Sequence, residues 1–145
     1  MKKRIIALGL LWCLSAVMLQ AARVDTVLVR SAAMNKDVKV VYVLPDKAIG
    51  KQACPVVYLL HGYGGNARSW VQLKPELPQM ADEKGIIFVC PDGKNSWYWD
   101  SPENPAYRYE TFVTSELVKY TDGNYATIPD RKARAISGLS MGGHG

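Results

Sequence analysis

Histidine and cysteine are scarce in this chain of 145 residues, with two of the first and three of the second. No His-Glu-x-x-His stretch and no Cys/His cluster at ligand spacing occurs, so no metal centre of the usual donor sets is expected. So few thiols do not make a disulfide scaffold. Cys54 and Cys90 fall at the start of one expected strand and the end of the next. As parallel neighbours they would lie out of register, beyond the ~7 Å Cα limit for a bridge, and they read as small buried apolar side chains. Lys/Arg clusters interleaved with aromatics are also missing, which leaves nucleic-acid binding without a footprint. Repeats and low-complexity linkers are absent, and only one long apolar run is present, at residues 5–19.

That run has a specific setting. Lys2, Lys3 and Arg4 precede it, and Ala21 and Ala22 follow with small side chains suited to cleavage. The three parts form the pattern of a secretory signal peptide over residues 1–22, so a secreted or periplasmic location is expected. Residues 23–145 are then one domain with no stable membrane span after cleavage. Setting aside the three cations Lys2, Lys3 and Arg4 takes the formal charge from +5 to +2, so much of the basicity belongs to the export signal.

The remaining chain alternates strand and helix signals. Residues 24–30 and 38–44 are rich in β-branched residues and partly alternating, as in an antiparallel pair with one solvated face. Residues 55–60 and 86–90 are apolar on both faces, as strands inside a parallel sheet are. Between them, residues 70–84 carry a helical stretch broken by Pro75 and Pro78, with the firm helix expected from about Pro78. Phe112, Val113, Leu117, Val118 and Tyr120 place a second crossover helix over 109–120. A short apolar run at 133–137 closes the series. The order indicates an α/β domain.

Directly after that last run stand Gly138-Leu139-Ser140-Met141-Gly142. A G-x-S-x-G at a strand end is the sequence of a nucleophile elbow, which holds a serine hydroxyl above a sheet. Serine attacks a carbonyl only with a base in reach and with donors for the oxyanion that forms. Ser140 is the candidate nucleophile, and the N–H of Met141, which opens the next helix, is the first candidate donor. The second donor should come from His61-Gly62-Tyr63-Gly64-Gly65-Asn66, a glycine-rich turn after a buried strand. Tyr63 N–H is the first choice there and Gly64 N–H the alternative. The segment 92–107 holds Trp97, Tyr98 and Trp99 at the strand end where α/β sheets bind ligands. These three read equally as a substrate wall or as a cap on the core. Asp100 and Glu103 read as solvated, and Glu110 and Glu116 as hydrogen-bonding struts for loops and strand ends.

The motifs Leu59-Leu60-His61-Gly62-Tyr63-Gly64-Gly65-Asn66, Pro91-Asp92-Gly93 with Asn95-Ser96-Trp97-Tyr98, Tyr109-Glu110-Thr111-Phe112 with Glu116-Leu117, and Gly138 to Gly145 follow one another in this order. Together they resemble the esterase D-like group of α/β-hydrolases, which includes tributyrin, feruloyl and acetylxylan esterases, S-formylglutathione hydrolases and mycolyltransferases. The resemblance runs from about Val38 to Gly145. It implies the N-terminal half of an α/β-hydrolase, an antiparallel pair leading into a mostly parallel sheet. It also implies an exported serine carboxylesterase acting through an acyl-enzyme on Ser140, on a small-molecule or carbohydrate-linked acetyl or feruloyl ester. Acyl transfer of the mycolyltransferase kind and a non-catalytic carbohydrate-binding role are the alternatives. No cofactor is implied, and no oligomeric state.

In such hydrolases the triad runs Ser, then Asp or Glu, then His. Past Ser140 the sequence offers no Asp or Glu, and its one histidine there, His144, lies a single helical turn on, with no acid between the two. The chain is therefore expected to be a fragment, inactive by itself, whose last strand is an open edge. His61 is expected to pack beneath the glycine-rich turn, and His144 to direct its ring into the sheet–helix packing.

Overall fold

A computed structural model describes residues 22–145; the signal sequence expected over 1–22 lies outside these except for Ala22. The first two strands, β1 (Arg23–Ser31) and β2 (Lys36–Leu44), pair antiparallel along their full length, from Arg23↔Leu44 to Ser31↔Lys36. A short helix α1 (Asp46–Ile49) follows, then β3 (Val56–Leu60). The proline-broken stretch forms two helices, α2 (Ser69–Leu73) and α3 (Leu77–Lys84). Pro78 sits in the first turn of α3, where its missing N–H costs nothing, and Gly85 ends the helix at φ 63°. Strand β4 (Ile87–Pro91) comes next.

After a long loop the chain forms α4 (Tyr109–Thr111), a π-helical turn at Phe112–Glu116, and α5 (Leu117–Asn124). The expected continuous helix over 109–120 is thus interrupted by a widened turn. A 3-10 turn at Arg131–Ala133 leads into β5 (Arg134–Gly138), and α6 (Met141–His144) follows the elbow.

The five strands form one sheet in the order β1-β2-β4-β3-β5. β2 pairs antiparallel with β4, while β3 lies parallel between β4 and β5. Because side chains alternate along a strand, the central strands bury both faces. Val40, Tyr42, Tyr58, Leu60 and Val89 pack with Phe112, Leu117 and Met141 on one side. Val41, Val43, Leu59, Phe88 and Cys90 pack with Leu77 and Ala81 of α3 on the other. Cys54 and Cys90 are buried free thiols, and burial pushes Cys90 up to about 12.

Two struts tie the loops to this frame. Glu116, in the π-turn, accepts from Ser31 Oγ and Ala33 N–H at 2.5 and 2.8 Å, the role expected of it. Asp100 is not solvated as expected. It is half-buried and accepts from the backbone and hydroxyl of Thr111, because the loop folds back onto the start of α4. β5 is one of the two sheet edges among the described residues, with β1 the other, and Ile136 on β5 is 56% exposed. No helix of the described residues is long and apolar enough to cross a membrane.

Candidate active site

Ser140 stands exposed where β5 turns into α6, at φ 54° and ψ −114°. A non-glycine residue held there stores on the order of 1–3 kcal/mol, and such strain collects at functional sites. The flanking glycines are required sterically. A Cβ on Gly138 would lie 2.1 Å from the Gly142 carbonyl, and one on Gly142 would lie 2.3 Å from Leu60 O. The turn is pinned by Leu139 N–H donating to Leu60 O at 3.2 Å and by Gly143 N–H donating to Ser140 O at 2.9 Å. Met141 opens α6 with its side chain fully buried. As the first helical residue, its N–H has no acceptor inside the helix.

The loop after β3 lies against this elbow. A Cβ on Gly62 would come within 3.5 Å of Ser140 Cβ and 3.2 Å of Leu139 O. Gly65 N–H donates to Gly62 O at 3.0 Å and closes a tight turn with Tyr63 and Gly64 at its centre. Gly64 has φ 77°, the left-handed value such a turn needs at its third position. Its N–H donates to Asn95 Oδ1 at 2.8 Å. The alternative donor named from sequence is therefore already committed, whereas Tyr63 projects its ring into solvent from the same turn, 66% exposed.

Residues 31–145 match the family described as Putative esterase. The chain belongs to that family. It is 28% identical over 123 residues to an acetyl esterase of Caldicellulosiruptor saccharolyticus, covering 79% of this chain and 46% of that protein. It is 38% identical over 103 residues to an endo-1,4-beta-xylanase/feruloyl esterase of Xylanibacter ruminicola, covering 65% of this chain and 14% of the relative. A solved S-formylglutathione hydrolase from Agrobacterium tumefaciens superposes with a TM-score of 0.75 at 29% identity, covering 86% of this chain and 51% of the other. The chain spans about half the length, or less, of these proteins. Its sheet and elbow are part of an α/β-hydrolase fold.

Both histidines are accounted for within this family frame. His61 is buried, with Nε2 accepting from Gly93 N–H at 2.9 Å and Nδ1 within 2.7 Å of Gly62 O. Since Nε2 accepts, the ring proton belongs on Nδ1, which donates to Gly62 O. Neither nitrogen is left for Ser140. His144 does not pack into the sheet as expected. It is exposed, with its ring edge-on to Trp97 and centroids 5.5 Å apart, because α6 aims it at the loop after β4.

That loop separates the three aromatics named from sequence. Trp97 is 46% exposed, beside His144 and 6.4 Å from the Tyr63 ring. Tyr98 is turned inward instead, 5% exposed, lying on Gly93 and donating its hydroxyl to His61 O at 3.2 Å. Trp97 and Tyr98 both have left-handed backbones, φ 56° and 55°. Trp99 is exposed. On the far side of Tyr63 an open groove of about 440 Å³ runs between Leu73 and Leu139 over Gly62, Gly65, Ser69 and Gln72.

Asp92, at the end of β4, is the strongly perturbed carboxylate of this neighbourhood. Burial alone would raise its pKa, but the backbone N–H of Lys94 and the Lys94 ammonium at 2.9 Å together hold it well below the usual range. Its Oδ1 lies 3.6 Å from His61 Nε2, too long for a hydrogen bond. Among the described residues no three His, Cys, Asp or Glu converge on a metal position. Asn95 has no role that its sequence setting assigns. Its bond to Gly64 spans 31 residues, and a local pattern carries no signal of it.

Proposed function

We propose that this chain carries the nucleophile half of an exported serine carboxylesterase. The observation that carries the reading is Ser140 itself, exposed at φ 54° with the glycine turn of β3 packed against it. In this reading Ser140 Oγ attacks the ester carbonyl and passes its proton to a histidine base. The carbonyl oxygen becomes an oxyanion that accepts from Met141 N–H and Tyr63 N–H. The tetrahedral intermediate collapses, the alcohol leaves with a proton from the base, and water releases the acid from the acyl-enzyme. The base and its carboxylate belong C-terminal to Gly145, following the chain order of the fold; covalent serine chemistry of this kind uses no cofactor.

An acetyl or feruloyl ester, free or carbohydrate-linked, suits the reading. The relatives above are an acetyl esterase and a feruloyl esterase-containing enzyme. Tyr63, next to Gly62 of the glycine turn, and Trp97, against His144 of the elbow helix, present exposed rings that would cover an aryl group or a sugar face. Export is supported by the charged, apolar and small-residue segments at the N-terminus.

The test uses the full-length protein, treated with a fluorophosphonate and digested for mass spectrometry. Ser140 should carry the label, and the protein should hydrolyse p-nitrophenyl acetate and methyl ferulate. An unlabelled Ser140 in folded protein refutes the assignment.

A further inference from the structure

We infer that Asn95 is a positioning residue that fixes the turn Gly62–Gly65, committing Gly64 N–H so that Tyr63 N–H is the amide offered to an oxyanion at Ser140. The inference rests on the esterase reading and specifies how its second donor is selected. The turn is rich in glycine, and a Cβ on Gly64 would meet nothing within 4 Å, so local packing does not hold the Tyr63–Gly64 peptide. Peptides flanked by glycine reorient at little steric cost. What holds this one comes from the segment after β4.

Three tethers cross from that segment. Gly93 N–H donates to His61 Nε2, and His61 Nδ1 in turn grips Gly62 O. Tyr98 Oη donates to His61 O. Asn95 Oδ1 accepts from Gly64 N–H at 2.8 Å. The first two pass through a buried histidine and are inseparable from the core. The third is made by an exposed side chain on an otherwise open turn, so it can be removed alone. It acts directly on the peptide next to the candidate donor. Asn95 also lies two residues before Trp97, so one loop sets both the donor and the wall beside it.

The experiment measures steady-state hydrolysis by full-length wild type, Asn95→Ala and Asn95→Asp, alongside the affinity of each for phenylboronic acid, which forms a tetrahedral anionic adduct on serine. The loss of one hydrogen bond of this kind is worth up to about tenfold, less than the ~10²–10³ of a deleted donor. Asn95→Ala should lower kcat about tenfold with KM within about twofold, and weaken boronate binding in parallel, as expected for an interaction felt in the transition state. Asn95→Asp keeps an acceptor of the same length and should recover most of both, and the thermal midpoint should match wild type in each variant.

Wild-type turnover and boronate affinity in Asn95→Ala overturn the proposal and leave the esterase reading intact. So does a loss that appears in KM alone, or one that follows a lowered midpoint and is not recovered by Asp. Absence of turnover and of Ser140 labelling in the wild type removes both readings together.

Discussion

The indole of Trp97 and the imidazole of His144 meet edge to face, with ring centroids 5.5 Å apart and planes at 87°. This contact joins the loop after β4 to the helix that opens beyond Ser140. It places a large exposed ring against the helix that follows Ser140, on a backbone that tryptophan rarely adopts, φ 56°. Two substitutions separate the ring from the strain. In the full-length protein, Trp97→Ala and Trp97→Gly should both raise KM for aryl esters severalfold while kcat changes less. Trp97→Gly should be the more stable of the two by about 1 kcal/mol, since glycine accepts positive φ freely. Kinetics on methyl ferulate and thermal melts of both variants decide this.

Ser140 is strained in the same sense. Ser140→Ala should reduce ester turnover to background while leaving the fold intact. Ser140→Gly should be equally inactive and melt higher than Ser140→Ala, by a shift corresponding to roughly 1 kcal/mol. Equal melting temperatures for the two variants would show that the elbow stores no strain at this residue.

The glycines of the elbow are not equivalent. A Cβ on Gly142 would lie 2.3 Å from the carbonyl oxygen of Leu60, which is backbone and cannot yield, whereas one on Gly143 would lie 3.3 Å from Gly138 O. Gly142→Ala should destabilise by about 3 kcal/mol or more and sharply reduce soluble yield, and Gly143→Ala by about 1 kcal/mol or less. Denaturant titration of both proteins makes the comparison.

Asp92 should leave a mark on acid stability. Its carboxyl is held below its ordinary value of 3.8 in the fold, so the folded state binds that proton less readily than the unfolded chain. The resulting stabilisation is fully present above about pH 4 and is lost as pH falls through the folded value. Melting temperatures taken between pH 6 and pH 2.5 should fall less steeply for Asp92→Asn than for wild type below pH 4. At pH 6 the variant should be the less stable, since the pairing with Lys94 is gone.

The strands and the elbow were legible because their signals are local. Residues 55–60 and 86–90 are apolar on both faces, and the structure places β3 and β4 inside the sheet within one residue of those bounds. The β1–β2 pair, the start of α3 near Pro78 and the strand before Gly138 follow from the same kind of evidence. Side-chain meetings between loops were not legible, since they depend on the order β4-β3-β5 bringing distant strand ends together. Asn95 on Gly64 and His144 against Trp97 belong to that class, while Asp100 on Thr111 comes from a long loop folding back onto α4. The inward turn of Tyr98 has a different origin. Its left-handed backbone is set by its contacts with Gly93 and His61 and leaves no trace in residue spacing.

The π-turn at Phe112–Glu116 was equally invisible, because Phe112, Val113 and Leu117 fit an ordinary helix as well as a widened one. Such a turn amounts to one surplus residue threaded into a helix. Trimming exposed Thr114 would let the coil close to regular pitch while Phe112 and Leu117 kept their places inside. The casualty would be the reach of Glu116 to Ser31 and Ala33, and with it the clasp on the tip of the first hairpin. A deletion there would loosen the corner where that hairpin meets the helix.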